Sequence, residues 1–426
     1  MKRKLYVLVL SALIAALCMI CLSSCFDENR EFKFGDYRYK VENGGVVITG
    51  YKGQDTDLAM PASIKDMPVV AIGTGAFLNC DTIKSMTIPD SVVRIEGLAF
   101  SKCYALEKVT LGQGIREIDF SPFAFCDKMT YNEYQSGYYV GTEENPYFAF
   151  VSTASKSLET LTIHPNTVVV CGSAIENCYT LCEVKIPEGV ISLGGFVFQH
   201  CSSLEKVHIP KSLESIGLLA FEKCDSLVEF VVADENSHFK SIDGSLFSKD
   251  GSRLIKYAAG QTVSSYCVPD GTVVIVESSF ENAKHLTEVT LADSVEEIGH
   301  SAFLYCENMQ SIRFGNALKD IGGAAFGFCA SLKEIVLPDS VQEISYNAFY
   351  CCDKLEFVEI GRGVVSLEAE AFYSCDALTE VVFRDADGWR VRTMYALFSD
   401  KVDLSDSNQN ADYLTGEYCE HYWYKE

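Results

Sequence analysis

Cysteines recur along this chain at a fixed interval of 23 residues. Extending the last run of cysteines backwards by the same interval reaches Ala283, a small residue in the same position. We call these eleven positions the anchors: Cys80, Cys103, Cys126, Cys178, Cys201, Cys224, Ala283, Cys306, Cys329, Cys352 and Cys375. A repeat this short cannot bury its own apolar face, so its copies must stack on one another.

Apolar residues hold fixed positions around the anchors. Three residues before each anchor stands a phenylalanine, except at Ile175. Eight residues before it an aliphatic side chain is usual, as at Ile72 and Ile321, and three residues after it a leucine is usual, as at Leu106 and Leu332. The repeat is therefore defined by its whole apolar pattern and not by cysteine alone.

The unit combines two periodicities. Ile72, Ala76 and Cys80 lie four residues apart, which predicts one face of a short helix. The residues six and eight after each anchor except Cys126 are apolar and alternate with more polar neighbours, which predicts a short strand with one buried face. A strand–turn–helix unit that stacks on its copies aligns the strands in one parallel, curved sheet.

The pattern Ile-Gly-x-x-Ala-Phe-x-x-Cys-x-x-Leu-x-x-Val-x-Leu-Pro is nearly unbroken in residues 321–338, where Ile335 takes the valine position. It resembles the BspA-like class of bacterial leucine-rich repeats, over roughly residues 56–383. The resemblance implies an α/β leucine-rich repeat solenoid with a curved parallel β-sheet and short helices on the opposite face. The resemblance also implies a surface lipoprotein. Members of the family are implicated in adhesion and host-protein binding.

The repeat is interrupted twice. The gap from Cys126 to Cys178 exceeds two repeats by six residues, and the gap from Cys224 to Ala283 exceeds them by thirteen. We predict β-hairpin insertions near 130–152 and 240–258 within one continuous solenoid spanning 56–383. Aromatic-rich segments flank it, and they predict an N-terminal capping hairpin at 32–55 and a docked C-terminal cap at 384–426.

The N-terminus has the pattern of a targeting segment. Lys2, Arg3 and Lys4 precede an apolar stretch that nears the length of a membrane-spanning helix, so a retained anchor is one alternative. The end of that stretch, residues 22–25 (Leu-Ser-Ser-Cys), resembles the lipobox of bacterial lipoproteins. The resemblance implies a signal peptide at 1–24, lipidation at Cys25 and an acidic tether at 25–31.

An acidic tether resembles a surface-export signal, although Asp27 also matches a signal for inner-membrane retention. We expect an outer-membrane lipoprotein displayed at the cell surface.

The chain is strongly acidic, with 35 Lys and Arg against 59 Asp and Glu and a formal net charge of −24. Such a surface repels nucleic acid and anionic lipid. We therefore expect no nucleic-acid partner, and contact with the membrane only through the lipid anchor.

No motif for catalysis, metal binding or cofactor binding stands out. The anchor cysteines form no Cys-x-x-Cys pair, and the chain contains neither Gly-x-Ser-x-Gly nor His-Glu-x-x-His. A disulfide between neighbouring units is sterically allowed, but Ala283 replaces a cysteine without disturbing its repeat. We predict a reduced, buried ladder of cysteines, leave open a disulfide among the off-register ones, and expect neither an enzyme nor a cofactor.

Residues five and seven after each anchor should point outward from the sheet. Near the C-terminus they combine acids with apolar side chains, a composition typical of recognition surfaces, unless Phe357 is tucked under its neighbours. The leading hypothesis is an adhesion protein that binds an extracellular or host protein through Glu334, Val336, Phe357, Glu359, Glu380 and Val382. The alternatives are a glycan-binding lipoprotein that uses Tyr138 and Tyr139, and a structural envelope protein without a specific ligand.

Overall fold

The computed structural model describes residues 30–393 and 400–425. The predicted signal peptide, Cys25 and most of the acidic tether lie outside the described residues. The chain forms two compact units: unit 1 ends at Tyr131 and adds Val140–Pro146, whereas unit 2 takes Asn132–Tyr139 and everything from Tyr147 onwards. Within the described ranges no helix has the length and apolarity needed to cross a membrane.

Both units are built from stacked coils of one design. A coil runs from a strand that starts five residues after an anchor, through a two-residue strand, to a turn segment just before the next anchor. In the coil that ends at Cys103, Ile95 from the two-residue strand and Phe100 from the turn are fully buried with that cysteine. This confirms the leucine-rich repeat solenoid, and it adds a second column of short parallel strands that the sequence did not predict.

Unit 1 starts with an antiparallel hairpin that caps its first coil, because β1 pairs with β2 and β2 with β3 before β3 joins the parallel strands. Its sheets run β1-β2-β3-β6-β8-β10, with β5 beside β6, and β4-β7-β9. The strands are β1 (Phe32–Phe34), β2 (Tyr37–Glu42), β3 (Gly45–Tyr51), β4 (Asp57–Ala59), β5 (Ser63–Ile64), β6 (Met67–Ile72), β7 (Ser85–Thr87), β8 (Arg94–Ile95), β9 (Lys108–Thr110) and β10 (Glu117–Ile118).

The first half of unit 2 contains both interruptions, and each forms antiparallel strands as predicted: β11 with β12, and β21 with β22 and β23. Its strands are β11 (Asn132–Tyr134), β12 (Gly137–Val140), β13 (Ala149–Thr153), β14 (Thr160–Leu161), β15 (Val169–Val170), β16 (Glu183–Lys185), β17 (Ser192–Leu193), β18 (Lys206–Ile209), β19 (Ser215–Ile216), β20 (Glu229–Val232), β21 (Phe239–Ile242), β22 (Ser245–Ser248) and β23 (Arg253–Lys256).

The second half of unit 2 has the most regular coils. Its strands are β24 (Ser265–Cys267), β25 (Val274–Ile275), β26 (Glu288–Thr290), β27 (Glu297–Ile298), β28 (Ser311–Arg313), β29 (Asp320–Ile321), β30 (Glu334–Val336), β31 (Glu343–Ile344), β32 (Phe357–Ile360), β33 (Ser366–Leu367) and β34 (Glu380–Phe383). The longer strands form three separate sheets in this unit, β14-β16-β18-β20, β24-β26-β28 and β30-β32-β34, where a single sheet was expected.

The C-terminal segment docks on the last coil as a cap. It consists of β35 (Trp389–Arg392), β36 (Asp400–Lys401), helix α1 (Ser407–Asp412), a π-helical turn (Tyr413–Glu417) and β37 (Tyr422–Lys425), which pairs antiparallel with β33. Trp389 and Trp423 are buried. Asn410 of α1 donates from Nδ2 to the carbonyl of Val381 at 3.0 Å, so the cap also covers the edge of β34.

The predicted short helices are turns instead. The residues five and one before every anchor have a left-handed backbone, as at Leu98 (φ +57°) and Lys102 (φ +60°), and this conformation cannot continue a right-handed helix. The N–H groups of Leu98, Phe100 and Lys102 donate to carbonyls of the next coil. We call the stack of these segments, from five to one residue before each anchor, the turn column.

The anchor cysteines are reduced, and all cysteines in the described residues are free thiols. Eight of the anchor cysteines donate a hydrogen bond from Sγ to a backbone carbonyl of the preceding coil. The acceptor is the residue three before the preceding anchor, as when Cys329 donates to the carbonyl oxygen of Phe303 at 3.3 Å. Beside them the phenylalanine rings stack, with centroids 5.0 Å apart for Phe303 and Phe326. The cysteine is therefore both a small apolar residue and a hydrogen-bond donor within the core.

Candidate functional site

The six residues predicted for the sheet face lie side by side on β30, β32 and β34. The parallel register places Glu334 beside Phe357 and Val336 beside Glu359. The next strand extends both rows, to Glu380 and Val382. Because adjacent strands lie about 4.8 Å apart, the two rows form one compact patch, which we call the sheet patch.

The apolar members of the sheet patch differ in exposure. Val336 is 41% exposed on β30, an edge strand of this three-stranded sheet. Phe357 and Val382 are half-buried, so the phenylalanine is partly covered by its neighbours and still reaches the surface. Beneath them Ile335, Val358 and Val381 are fully buried and fix the strands. The patch is therefore a small apolar surface on a rigid base.

One arginine braces the patch on its C-terminal side. Arg384 donates from Nε to Glu359 and from Nη1 to Asp339 Oδ1, the latter at 3.0 Å. The pKa of the Asp339 carboxyl lies below its usual range because the Arg362 backbone N–H and the Arg384 guanidinium both donate to it. The charge of Glu359 is thus paired within the molecule, whereas Glu334 and Glu380 remain exposed.

A gap in the sheet borders the patch. Strands β28 and β30 belong to different sheets, although they occupy consecutive coils. Elsewhere the residue after the strand donates forward, as Leu337 does to the carbonyl of Glu359 at 2.9 Å. In the described part of the chain the matching N–H of Phe314 makes no such bond to Val336. The gap opens into a cavity of about 480 Å³, lined among others by Ser311, Arg313 and Val336.

The coil of β28 differs from its neighbours in sequence and in burial. Phe314 fills a position that leucine holds in the two flanking coils, at Leu291 and Leu337. Both leucines are buried, but Phe314 and Ile312 are only half-buried. A ring in place of a leucine needs more volume beneath the strand, and this coil leaves it only half-buried. The phenylalanine was visible in the sequence, but the gap between β28 and β30 was not predicted.

Charged groups surround this cavity. Glu288 and Glu334 are exposed carboxylates at its edge, and Arg313 is an exposed guanidinium between them. None of these three makes an ion pair with another described residue. Sequence reasoning identified Glu334 alone, because Glu288 and Arg313 belong to coils whose outward residues carry no apolar neighbour.

The tyrosine-rich insertion is less suited to binding than its composition indicated. Tyr139 is fully buried, its hydroxyl accepts the His164 N–H at 2.9 Å, and burial raises its pKa to about 12. Tyr139 is therefore removed from the candidate glycan surface, and Tyr138 is half-buried. Their neighbours pack on one another, with the Tyr147 and His164 rings stacked 3.9 Å apart. The aromatic surface serves the fold of the insertion.

The described residues hold no cluster of three or more His, Cys, Asp or Glu side chains that could bind a metal ion.

Comparison with known proteins identifies the repeat. The family model for the BspA type leucine rich repeat region matches in six copies over residues 60–144, 143–267 and 257–379. No curated protein matches significantly.

Several solved bacterial structures are similar. A leucine rich cell surface protein of Faecalibacterium prausnitzii shares 25% identity over 85% of this chain and 96% of its own, with a TM-score of 0.48. The pneumococcal vaccine antigen PcpA shares 22% identity over 84% of this chain and 88% of its own, with a TM-score of 0.50. A leucine-rich repeat protein of Eubacterium ventriosum shares 20% identity over 82% and 83%, with a TM-score of 0.49.

Proposed function

The chain belongs to the BspA type leucine-rich repeat family, and we propose that it is a cell-surface recognition protein that binds an extracellular protein through the sheet patch. The observation that carries the proposal is the juxtaposition of exposed Val336 and half-buried Phe357 with an open cavity in the sheet. Apolar side chains beside a cavity and within a polar rim are typical of protein interfaces.

The charges favour a basic partner. Glu334 and Glu380 are exposed on the patch and form no ion pair with another described residue, while Glu359 is paired with Arg384. The chain as a whole carries a formal charge of −24, which speeds the encounter with a cationic partner. We therefore expect binding that weakens as ionic strength rises.

The test is a binding screen of the full-length protein, in detergent, against immobilised extracellular matrix proteins. Phe357→Ala and Val336→Ser should each weaken binding about tenfold, which corresponds to about 1.4 kcal/mol. Phe328→Ala and Val263→Ser are matched controls, because one is a half-buried phenylalanine and the other an exposed valine away from the patch. Equal affinity of all four variants would reject the sheet patch.

The same screen separates the alternatives. Binding that free oligosaccharides compete away, and that Tyr138→Ala reduces, would support a glycan-binding lipoprotein instead. A protein that binds no matrix component and no oligosaccharide would fit a structural envelope role.

The proposed location is the outer surface of the cell, with a lipid anchor on Cys25. Two or more acyl chains hold a protein stably on a membrane, whereas one chain is marginal. Metabolic labelling with a fatty acid should mark the wild-type protein, and Cys25→Ala should remove the label and release the chain. Protease added to intact cells should degrade a surface-displayed protein; protection would place it on an inner leaflet.

A further inference from the structure

The turn column is broken at one place within unit 2. In the coil that ends at Cys201, the N–H groups of Phe196, Phe198 and His200 all donate to carbonyls of the next coil. The equivalent donors of that next coil are Leu219, Phe221 and Lys223, and Leu219 and Lys223 have the same left-handed backbone. In the part of the chain that the structure describes, none of these three N–H groups donates a hydrogen bond.

The second hairpin insertion causes the break. The segment that follows, near Tyr257, lacks left-handed residues and offers no carbonyl to the three donors. In the stack of coils, Lys256 of this segment takes the position four residues before the anchor, where almost every other coil has alanine or another small residue. The backbone carbonyls that accept hydrogen bonds in a regular coil are thus missing here, and the Lys256 side chain adds further donors.

A cavity of about 170 Å³ lies at the break. Leu219 and Phe221, whose N–H groups donate no hydrogen bond among the described residues, line it on one side, and Lys256 lines it from the opposite coil. The rest of the wall is largely apolar, with Leu218, Ile255 and Val276. Leu218 is 60% exposed, which marks the mouth of the cavity.

Lys256 is a buried cation with few partners. Its side chain is 5% exposed, and its one hydrogen bond goes from Nζ to the carbonyl of Ser278 at 2.8 Å. An ammonium group has three donors, so two of them remain for a ligand. Nearby Glu281 is also buried and forms no ion pair with Lys256, and one of its carboxyl oxygens has no hydrogen-bond partner. Burial lowers the pKa of Lys256, and a bound anion would oppose that shift.

We propose that this cavity, which we call the turn-column cavity, binds the carboxylate of a small aliphatic acid between the free N–H groups of Leu219 and Phe221 and the Lys256 ammonium. Successive N–H groups in a turn that contains left-handed residues form a concavity that attracts anions. A desolvated ammonium group opposite them supplies the compensating charge.

Size and charge select the ligand class. With about 30 Å³ for each water-sized group, the volume of about 170 Å³ holds roughly five or six heavy atoms. Glu222 and Glu277 also line the cavity, and their carboxylates repel a dianion about twice as strongly as a monoanion. The apolar wall suits a short hydrocarbon chain. A monoanion such as butyrate satisfies all three conditions better than phosphate or sulfate does.

The experiment measures binding of butyrate to the full-length protein by calorimetry, with butyramide as the neutral twin and phosphate and sulfate as other oxyanions. Butyrate should bind saturably in the millimolar range, butyramide should not, and hydrogen exchange at Leu219 and Phe221 should slow on binding. Lys256→Met and Leu218→Glu should each weaken butyrate at least tenfold. Leu218→Glu alters only the exposed mouth, so its fold should be preserved even if Lys256→Met unfolds.

Lys319→Met is the charge-matched control, because it removes an exposed lysine elsewhere and should leave butyrate binding unchanged. Absence of saturable butyrate binding would overturn the proposal, and so would tighter binding of phosphate or sulfate. Unchanged affinity in a folded Lys256→Met variant would equally overturn it. The proposal is independent of the sheet patch, so failure of either site leaves the other standing.

Discussion

Two parts of unit 2 follow the same repeat with different results. The first comprises the coils from Ala283 to Cys375, and the second is the stretch between Cys224 and Ala283. In the former, the phenylalanine rings stack in one column and the turn N–H groups donate to the next coil until the last of these coils. In the coil just before the latter, the N–H groups of Leu219, Phe221 and Lys223 donate no hydrogen bond among the described residues. Within the stretch itself, Lys256 is buried in the core and the hydroxyl of Tyr257 is buried without a partner.

The difference shows that the repeat is a hydrogen-bonding template as much as an apolar one. Where consecutive coils match, polar groups of the backbone satisfy one another and nothing remains for a ligand. Where an insertion breaks the match, the same groups are left without partners, and each such group that is also shielded from water costs about 1–3 kcal/mol. The regular coils should therefore lose stability on substitution, whereas the interrupted stretch should gain from some changes.

The largest effect is expected in the regular coils. Phe326→Ala should lower the free energy of unfolding by about 3–5 kcal/mol, because the ring is fully buried between Phe303 and Phe349. Chemical denaturation followed by circular dichroism would measure it. Phe328→Ala, at a half-buried position on the outside of the same turn, is the control and should cost clearly less.

Cys329→Ala should cost about 1–2 kcal/mol, since it removes a buried Sγ donor and leaves a small cavity. In the wild type, thiol labelling followed by mass spectrometry should modify exposed Cys182 and Cys267 at once. It should spare Cys329 until the protein unfolds, because burial also raises the pKa of that thiol. Early labelling of Cys329 would contradict the buried ladder.

In the interrupted stretch the sign should reverse. Tyr257→Phe removes a buried hydroxyl that has no partner while keeping the ring that stacks on Phe280 at 4.8 Å. We expect a gain of about 1 kcal/mol in the free energy of unfolding. A loss of stability would show that a water or another group satisfies the hydroxyl in solution. Phe326→Tyr is the reciprocal variant and should be destabilising.

The smallest effect depends on pH. Burial raises the pKa of Glu281 above its unfolded value, so the folded state holds this proton more tightly and loses stability as pH rises through the raised pKa. Glu281→Gln should match the wild type near pH 4 and exceed it at pH 8 by about 1 kcal/mol or less. Denaturation curves at both pH values test this; a variant less stable at pH 8 would mean that attraction to Lys256 outweighs burial.

Much of the fold could be predicted because the anchors fix which residues face inward. The spacing located the long strands, the hairpin insertions and the buried cysteine ladder. It failed at the turn column, where Ile72 and Ala76 are buried and Cys80 is half-buried but the three do not share a helix. A four-residue spacing does not reveal left-handed residues such as Lys102. The asparagines at Asn79, Asn177 and Asn282 were the available signal, because asparagine tolerates this conformation.

The candidate sites were less accessible to sequence reasoning. The outward positions of β30, β32 and β34 followed from strand alternation, and their register brought those residues together. The cavity beside them required knowing that β28 and β30 do not pair, and the repeat spacing does not reveal this. Tyr139 was misassigned because composition does not distinguish a displayed tyrosine from one that holds an insertion in place.

All hydrogen bonds between coils of the turn column run in one sense along the chain, from each donor to a carbonyl 22 residues later. The column is therefore a stack of peptide dipoles with a common direction, and any interruption exposes its positive end on the coil that precedes the insertion. The place at which a hairpin enters such a repeat thus determines the sign of the charge that the new crevice attracts. A single insertion in such a repeat therefore frees backbone donors, and a lysine such as Lys256 supplies the positive charge opposite them.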